Sequence, residues 1–324
     1  MKYAGLCVAL SLMSGSLLAQ STAPGATRIA NWKDDKKAPF LMMFDDCCPT
    51  HVTNVFPELQ KRGMTGTFYI VNEKPERKAR LEFWEKEAPG DPNVVFGNHT
   101  VNHKALTDLA QAEQELVGCN ELIYRVSPGK NPRLISYATP GGPKHEVTED
   151  QLKEILVRQH LLLRPPFGGH GGGIHFKTGD DVLAAVDKAV SSGQQEYVIF
   201  HGVGGDWISF PMPEFVAMLD GLEKRRDAIW ITDHVSAHKY ETERNATQVE
   251  TAEASGRKII LKVKNSTDAA LYDQPLTFVT KVPANWKACA VTQNGKTSRV
   301  AVVNGEAKFE ALPVNGSIQL EPVS

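Results

Sequence analysis

The chain has 324 residues, 41% hydrophobic and 23% charged, the balance of an ordinary globular protein rather than a disordered or fibrous one. That length allows one large domain and a small one. A formal net charge of −2 provides no field that would gather polymeric DNA, RNA or an anionic membrane, which argues against nucleic acid as a partner.

At the N-terminus, Lys2 is followed by the apolar run "YAGLCVALSLMSGSLLA", too short for a membrane span with the usual flanks and ending in small residues before Gln20. This reads as a secretory signal peptide over residues 1–19, cleaved after Ala19, with residues 20–37 as a linker. A buried N-terminal helix is the alternative, but the Ser/Pro/Gly-rich "QSTAPGAT" would leave it detached. No second apolar stretch is long enough to span a membrane. The expected location is therefore secreted or periplasmic. Cys7 departs with the signal, leaving Cys47, Cys48, Cys119 and Cys289. Four cysteines cannot frame so long a chain, although a bridge from Cys47 or Cys48 to Cys119 is allowed.

From residue 38 to 246, short apolar runs alternate with amphipathic stretches. The runs are "FLMMF", "TGTFYIV", "NVVFG", "RLISYA", "HLLLR", "YVIFHG" and "AIWIT". They lack polar alternation, as strands covered on both faces do, while Val182, Leu183, Val186 and Val190 fall on one helical face. Seven βα units predict an α/β fold, a distorted or incomplete (β/α)7 barrel more than an open doubly wound sheet. Beyond residue 252 the pattern changes: "KIILKV" alternates, and Asn294-Gly295 and Asn304-Gly305 are hairpin signals. Residues 252–324 are predicted to form a small antiparallel β-sandwich-like domain.

The first barrel run ends in "FDDCCPTH", placing Asp45 and Asp46 at a strand's C-terminal end, where parallel α/β folds build their active sites. An Asp pair alone could as well cap a helix. The third run, however, ends in "FGNHTVNH", with His99 and His103 four residues apart, so that a helical turn would present both rings on one side. Asp46, His99 and His103 make a two-histidine, one-carboxylate set that leaves positions open on a metal, as a catalytic site needs.

These stretches resemble the polysaccharide deacetylases, the NodB-type domains of family-4 carbohydrate esterases. The likeness rests on the Asp45-Asp46 pair and on "HTVNH", with "KRGMTGTFYIV" and "YVIFHG" as looser matches, and spans residues 38–245. The resemblance implies Asp45 as catalytic base, Asp46, His99 and His103 as ligands of one divalent ion, zinc being the expected metal, and His201 as the acid. Two departures stand out. Cys47 follows the Asp pair where the family usually has Gly, and "SYATPGG" has Ala138 where an Arg belongs. Arg164 of "LLLRPPFGG", one βα unit later, is expected to supply that guanidinium to Asp45; a surface ion pair is the plainer reading of it.

The implied chemistry is hydrolysis of N-acetyl groups from an N-acetylglucosamine-containing poly- or oligosaccharide by water activated at the metal, making an acetylated carbohydrate the expected partner. An O-acetyl esterase acting on acetylated xylan, and a lapsed catalyst that only grips glycans, remain as alternatives. Tyr137, Pro140 and Gly141 of the "TPGG" region and Trp207 are expected to contact substrate. His170 and His175 lie in a glycine-rich stretch expected to form a flap over the groove. His51 and His234 have no assigned part.

Overall fold

A computed structural model describes residues 23–323; the expected signal peptide lies outside the described residues. After a short strand β1 (Thr27–Ile29), all seven apolar runs are strands: β2 (Ala38–Asp45), β3 (Gly66–Ile70), β4 (Val94–Asn98), β5 (Ile135–Tyr137), β6 (Leu161–Leu163), β7 (Glu196–Phe200) and β8 (Ile229–Thr232). Between them run α1 (Phe56–Arg62), α2 (Pro75–Lys78), α3 (Leu109–Val126), α4 (Glu149–Arg158), α5 (Gly179–Ser192) and α6 (Met212–Glu223), with α7 (His234–Ala246) last. Local chemistry fixes the starts of these helices. Thr148 with Gln151, and Thr178 with Asp181, form reciprocal capping boxes that satisfy first-turn N–H groups of α4 and α5.

The strands are parallel in the order β6-β5-β4-β3-β2-β7, and β8 also pairs with β2. Strand β2 is fully buried and central: Ala38–Leu41 pair with β8, Phe40–Phe44 with β7, and Met43–Asp45 with β3. The barrel is incomplete, because β6 and β7 do not pair. The glycine-rich stretch lies there instead. Gly172 N–H donates to the Ile199 carbonyl (2.9 Å) and Ile199 N–H to the His170 carbonyl (3.0 Å), so the stretch expected as a flap is tied to β7. His170 stacks on Tyr197 at 4.0 Å between ring centroids and pairs with Glu196, and His175 accepts from Gly171 N–H; both serve the local structure.

The second domain is one antiparallel sheet, formed by β9 (Thr247–Ala254), β10 (Ile259–Asn265), β11 (Leu276–Lys281), β12 (Ala288–Gln293), β13 (Lys296–Val303), β14 (Glu306–Ala311) and β15 (Gly316–Pro322) with β1. Both Asn-Gly pairs form the two-residue turns their sequence predicts, with positive φ at Asn294, Gly295, Asn304 and Gly305. The sheet order begins at β1 and ends at β9, and the two ends meet where Thr251 Oγ1 donates to the Gly25 carbonyl (2.7 Å), so the sheet nearly closes. β1 arises inside the stretch expected as a linker and pairs with β11, stitching the region before the barrel into the C-terminal sheet. Trp32, Tyr240 and Trp286 join that sheet's core, and Trp230 packs against it. All four cysteines described are free, buried thiols, and no disulfide bridges Cys47 or Cys48 to Cys119.

Candidate metal and hydrolytic site

Asp45 ends β2 at the barrel mouth, and the chain turns at once. Asp46 (φ 73°) and Cys47 (φ 52°) both adopt the left-handed region that non-glycine residues avoid. This conformation explains why glycine suits the position of Cys47. It also aims the two carboxylates separately, Asp45 toward Arg164 and Asp46 toward the histidines.

His99 and His103 converge, with ring centroids 4.7 Å apart, but not on the helical turn that their spacing predicts. Asn98 Oδ1 accepts from Thr100 N–H (2.9 Å), Thr100 Oγ1 accepts from His103 N–H (3.0 Å), and Thr100 and His103 have φ of 70° and 54°. Side chains bonded to nearby backbone thus replace the helix with a loop. Glu115 of α3 anchors that loop through Asn102 N–H and Nδ2.

Asp46 is 5% exposed, and its Oδ1 has no hydrogen-bond partner although it is buried. Around that oxygen stand His103 Nε2 at 3.3 Å and His99 Nε2 at 3.6 Å. His99 Nδ1 lies 2.8 Å from the Ala138 carbonyl and donates its proton there, leaving the Nε2 lone pair free to face Asp46. Burial lowers the His99 pKa to about 4 despite Asp45 nearby, so the ring is neutral, as a ligand must be. A buried carboxylate oxygen that makes no hydrogen bond, beside two imidazole nitrogens, all within 4.8 Å of one another, fits a single divalent ion.

Arg164 forks onto Asp45, Nη1 to Oδ1 at 2.6 Å and Nη2 to Oδ2 at 2.7 Å, with both side chains buried. It is therefore no surface ion pair. Ala138 is wholly buried and packs with Leu41, Met43 and Tyr69. The guanidinium arrives from the end of β6 instead, lying over the Tyr69 ring at 4.6 Å. Tyr69 OH is in turn 2.6 Å from Ser136 Oγ, which lies 2.8 Å from His234 Nδ1, so His234 belongs to a buried polar chain beneath the base. Burial pushes the Asp45 carboxyl up, but the Arg164 guanidinium beside it holds it down at about 2.

His201 follows β7 and faces both carboxylates, its Nε2 3.9 Å from Asp45 Oδ2 and 3.9 Å from Asp46 Oδ2. Its Nδ1 is buried without a partner, and its carbonyl lies 2.7 Å from His51 Nε2. His51 is thus a buried ring that holds the His201 backbone. Trp207 Nε1 donates to Asp46 Oδ2 (3.2 Å), which puts this indole in the site.

A cavity of about 660 Å³ joins these groups, lined also by Thr139, Gly141, Gly142, Pro165, Pro166, Phe167 and Ile208. Gly141, expected to contact substrate, lines this cavity. Tyr137 and Pro140, expected to contact substrate, do not line it. Strand alternation turns Ser136 inward and Tyr137 outward into the hydrophobic core, where it is wholly buried, and Pro140 only offers its carbonyl to His145. Lys74 was missed: its Nζ stands 3.5 Å from Asp46 Oδ1 and 4.9 Å over the Trp207 ring. Its position just past β3, at the same barrel end as the Asp pair, was the available signal.

The match to known proteins follows the same residues. A family model described as polysaccharide deacetylase fits residues 33–160, which include Asp45, Asp46, His99 and His103 but neither Arg164 nor His201. Residues 33–160 belong to the polysaccharide deacetylase family. Over 92% of its length the chain is 26% identical to a gellan lyase from Bacillus sp., spanning 13% of that much longer protein. Among solved structures, a family 4 carbohydrate esterase from Streptomyces lividans in complex with acetate superposes with a TM-score of 0.43 at 16% identity, covering 62% of this chain and 94% of the other. A family-4 pseudoenzyme from Bacillus anthracis superposes with a TM-score of 0.42 at 15% identity, covering 60% and 63%. Among the described residues, no helix is long and apolar enough to cross a membrane.

Proposed function

We propose that this polysaccharide deacetylase homologue is an exported, metal-dependent hydrolase that removes N-acetyl groups from an N-acetylglucosamine-containing saccharide. The observation that carries the reading is the Arg164 fork on Asp45, which sets an ionised carboxylate against the Asp46, His99 and His103 cluster. A metal held by those three, zinc by its donor set, supplies Lewis-acid polarisation of the acetyl carbonyl and acidifies the attacking water.

The chain's own groups do the rest. Asp45 takes the proton of the attacking water; Arg164 keeps it ionised and fixes its plane, at the cost of basicity. Gly141 and Gly142 line the cavity, and their backbone N–H groups are the proposed donors to the developing oxyanion. His201, whose Nε2 lies 3.9 Å from Asp45 Oδ2, gives its Nε2 proton to the leaving amine. Trp207, bonded to Asp46, forms a wall against the sugar.

One observation favours a second reading, O-acetyl ester hydrolysis. No acceptor holds His201 Nδ1, so the imidazolium that protonates a leaving group lacks an orienting partner, and an ester needs that proton less than an amide does. Acetate release from chitin oligomers and acetylated xylan, assayed side by side with zinc, separates the two. Faster release from chitin oligomers supports deacetylation, faster release from xylan supports the esterase, and none from either leaves a glycan binder.

A further inference from the structure

We propose that the groove beside the catalytic cavity receives an alkyl chain carried by the substrate as its aglycone, so that the substrate is an amphiphilic saccharide. This rests on the proposed function, in which the acyl group that reacts is acetyl, so a chain in the adjoining groove belongs to another part of the substrate, which we assign to the aglycone. The groove holds about 800 Å³, within the range of ligand sites, and its apolar lining includes Leu106, Val147, Leu152, Leu156 and Leu162. It adjoins the catalytic cavity, because Thr139 and Leu163 line both. It sits at the open edge of the barrel, where β6 has a strand on one side only.

The chemistry of the lining selects an apolar occupant. Glu149, Asp150 and Lys153 are exposed at its rim. His145 has both ring nitrogens engaged: Nδ1 accepts from Leu106 N–H (3.1 Å), so Nε2 carries the proton and donates to the Pro140 carbonyl (2.9 Å). No Phe, Tyr or Trp lines the groove, so it offers a sugar ring neither a stacking face nor a set of buried donors and acceptors. Val157 and Leu163, large apolar side chains, remain 69% and 55% exposed along it. An alkyl chain gains from such a wall, and another sugar does not.

The test is calorimetric titration of the intact chain with alkyl β-glucosaminides, from methyl to octyl. These are the products of the proposed reaction, so turnover does not consume them. Affinity is expected to rise about two- to fourfold per methylene, as burial of a CH2 group predicts. Val157→Asp, which places a charge in the groove from an exposed helix position, is expected to flatten that rise. An affinity independent of chain length, or a rise that Val157→Asp leaves intact, overturns the proposal. So does a concentration-dependent dimer in sedimentation that Val157→Asp dissolves, since a second copy would then own the groove. Binding is read without turnover: absent acetate release defeats the functional reading, and a flat series defeats the groove alone.

Discussion

Arg164 and Asp45 lie 119 positions apart, yet two parallel hydrogen bonds of 2.6 and 2.7 Å join them inside the barrel mouth. Such a fork orients as well as charges, because both carboxylate oxygens are held in the guanidinium plane. Arg164→Ala is expected to lower kcat by about 10²–10³, or roughly 3–4 kcal/mol of transition-state stabilisation. Asp45, held at about 2 by the fork, then titrates higher, so the acid limb of the activity profile moves to higher pH. Near-native kcat with an unmoved limb would make Arg164 a bystander.

The metal reading predicts that Asp46→Ala and His99→Ala each lose bound zinc and activity together while the fold persists. The ligands come from two loops at the barrel mouth, and the strand core beneath them stays in place. Elemental analysis of the purified variants is the check. Full zinc occupancy in either would remove that residue from the ligand set.

Beneath the fork, Tyr69→Phe removes the hydroxyl that meets Ser136 while keeping the ring under Arg164. Ser136 keeps its contact with His234, so denaturant unfolding should show a loss of about 1 kcal/mol. If the hydroxyl positions the fork, kcat should fall several-fold with KM little changed. A stability loss with unchanged kcat would make the network structural only.

Burial depresses the pKa of both His51 and His234 to about 4, against an unfolded value near 6.5. A depressed folded pKa means that the unfolded chain binds the proton more tightly. The stability each neutral ring contributes is therefore complete above about pH 6.5 and is lost as pH falls toward 4. Thermal melts from pH 7.5 to 4 should show a steep decline that becomes shallower in His51→Leu. An identical slope in that variant would contradict the assignment.

How much of this was legible in the sequence varies with the range of the interaction. The seven barrel strands and both Asn-Gly turns were readable, because uninterrupted apolar runs and turn residues act locally. The Asp46, His99 and His103 set was readable because both motifs end strands of one barrel. The path between the histidines was not, since Asn98 and Thr100 side chains capture the backbone that an i,i+4 spacing assigns to a helix. Tyr137 was misplaced for want of the strand's phase, which in a three-residue strand no alternation reveals. β1 was hidden because three residues pair only with a strand some 250 positions away.

The proposed reaction requires that Asp46, His99 and His103 hold one metal on which hydrolysis by Asp45 depends. The direct measurement is acetate release from an N-acetylglucosamine oligomer by metal-stripped protein titrated with zinc. Activity should rise from baseline and saturate at one equivalent, and Asp45→Asn should stay at baseline throughout while still binding the ion. Release that is indifferent to zinc, or undiminished in Asp45→Asn, would contradict this metal-dependent mechanism.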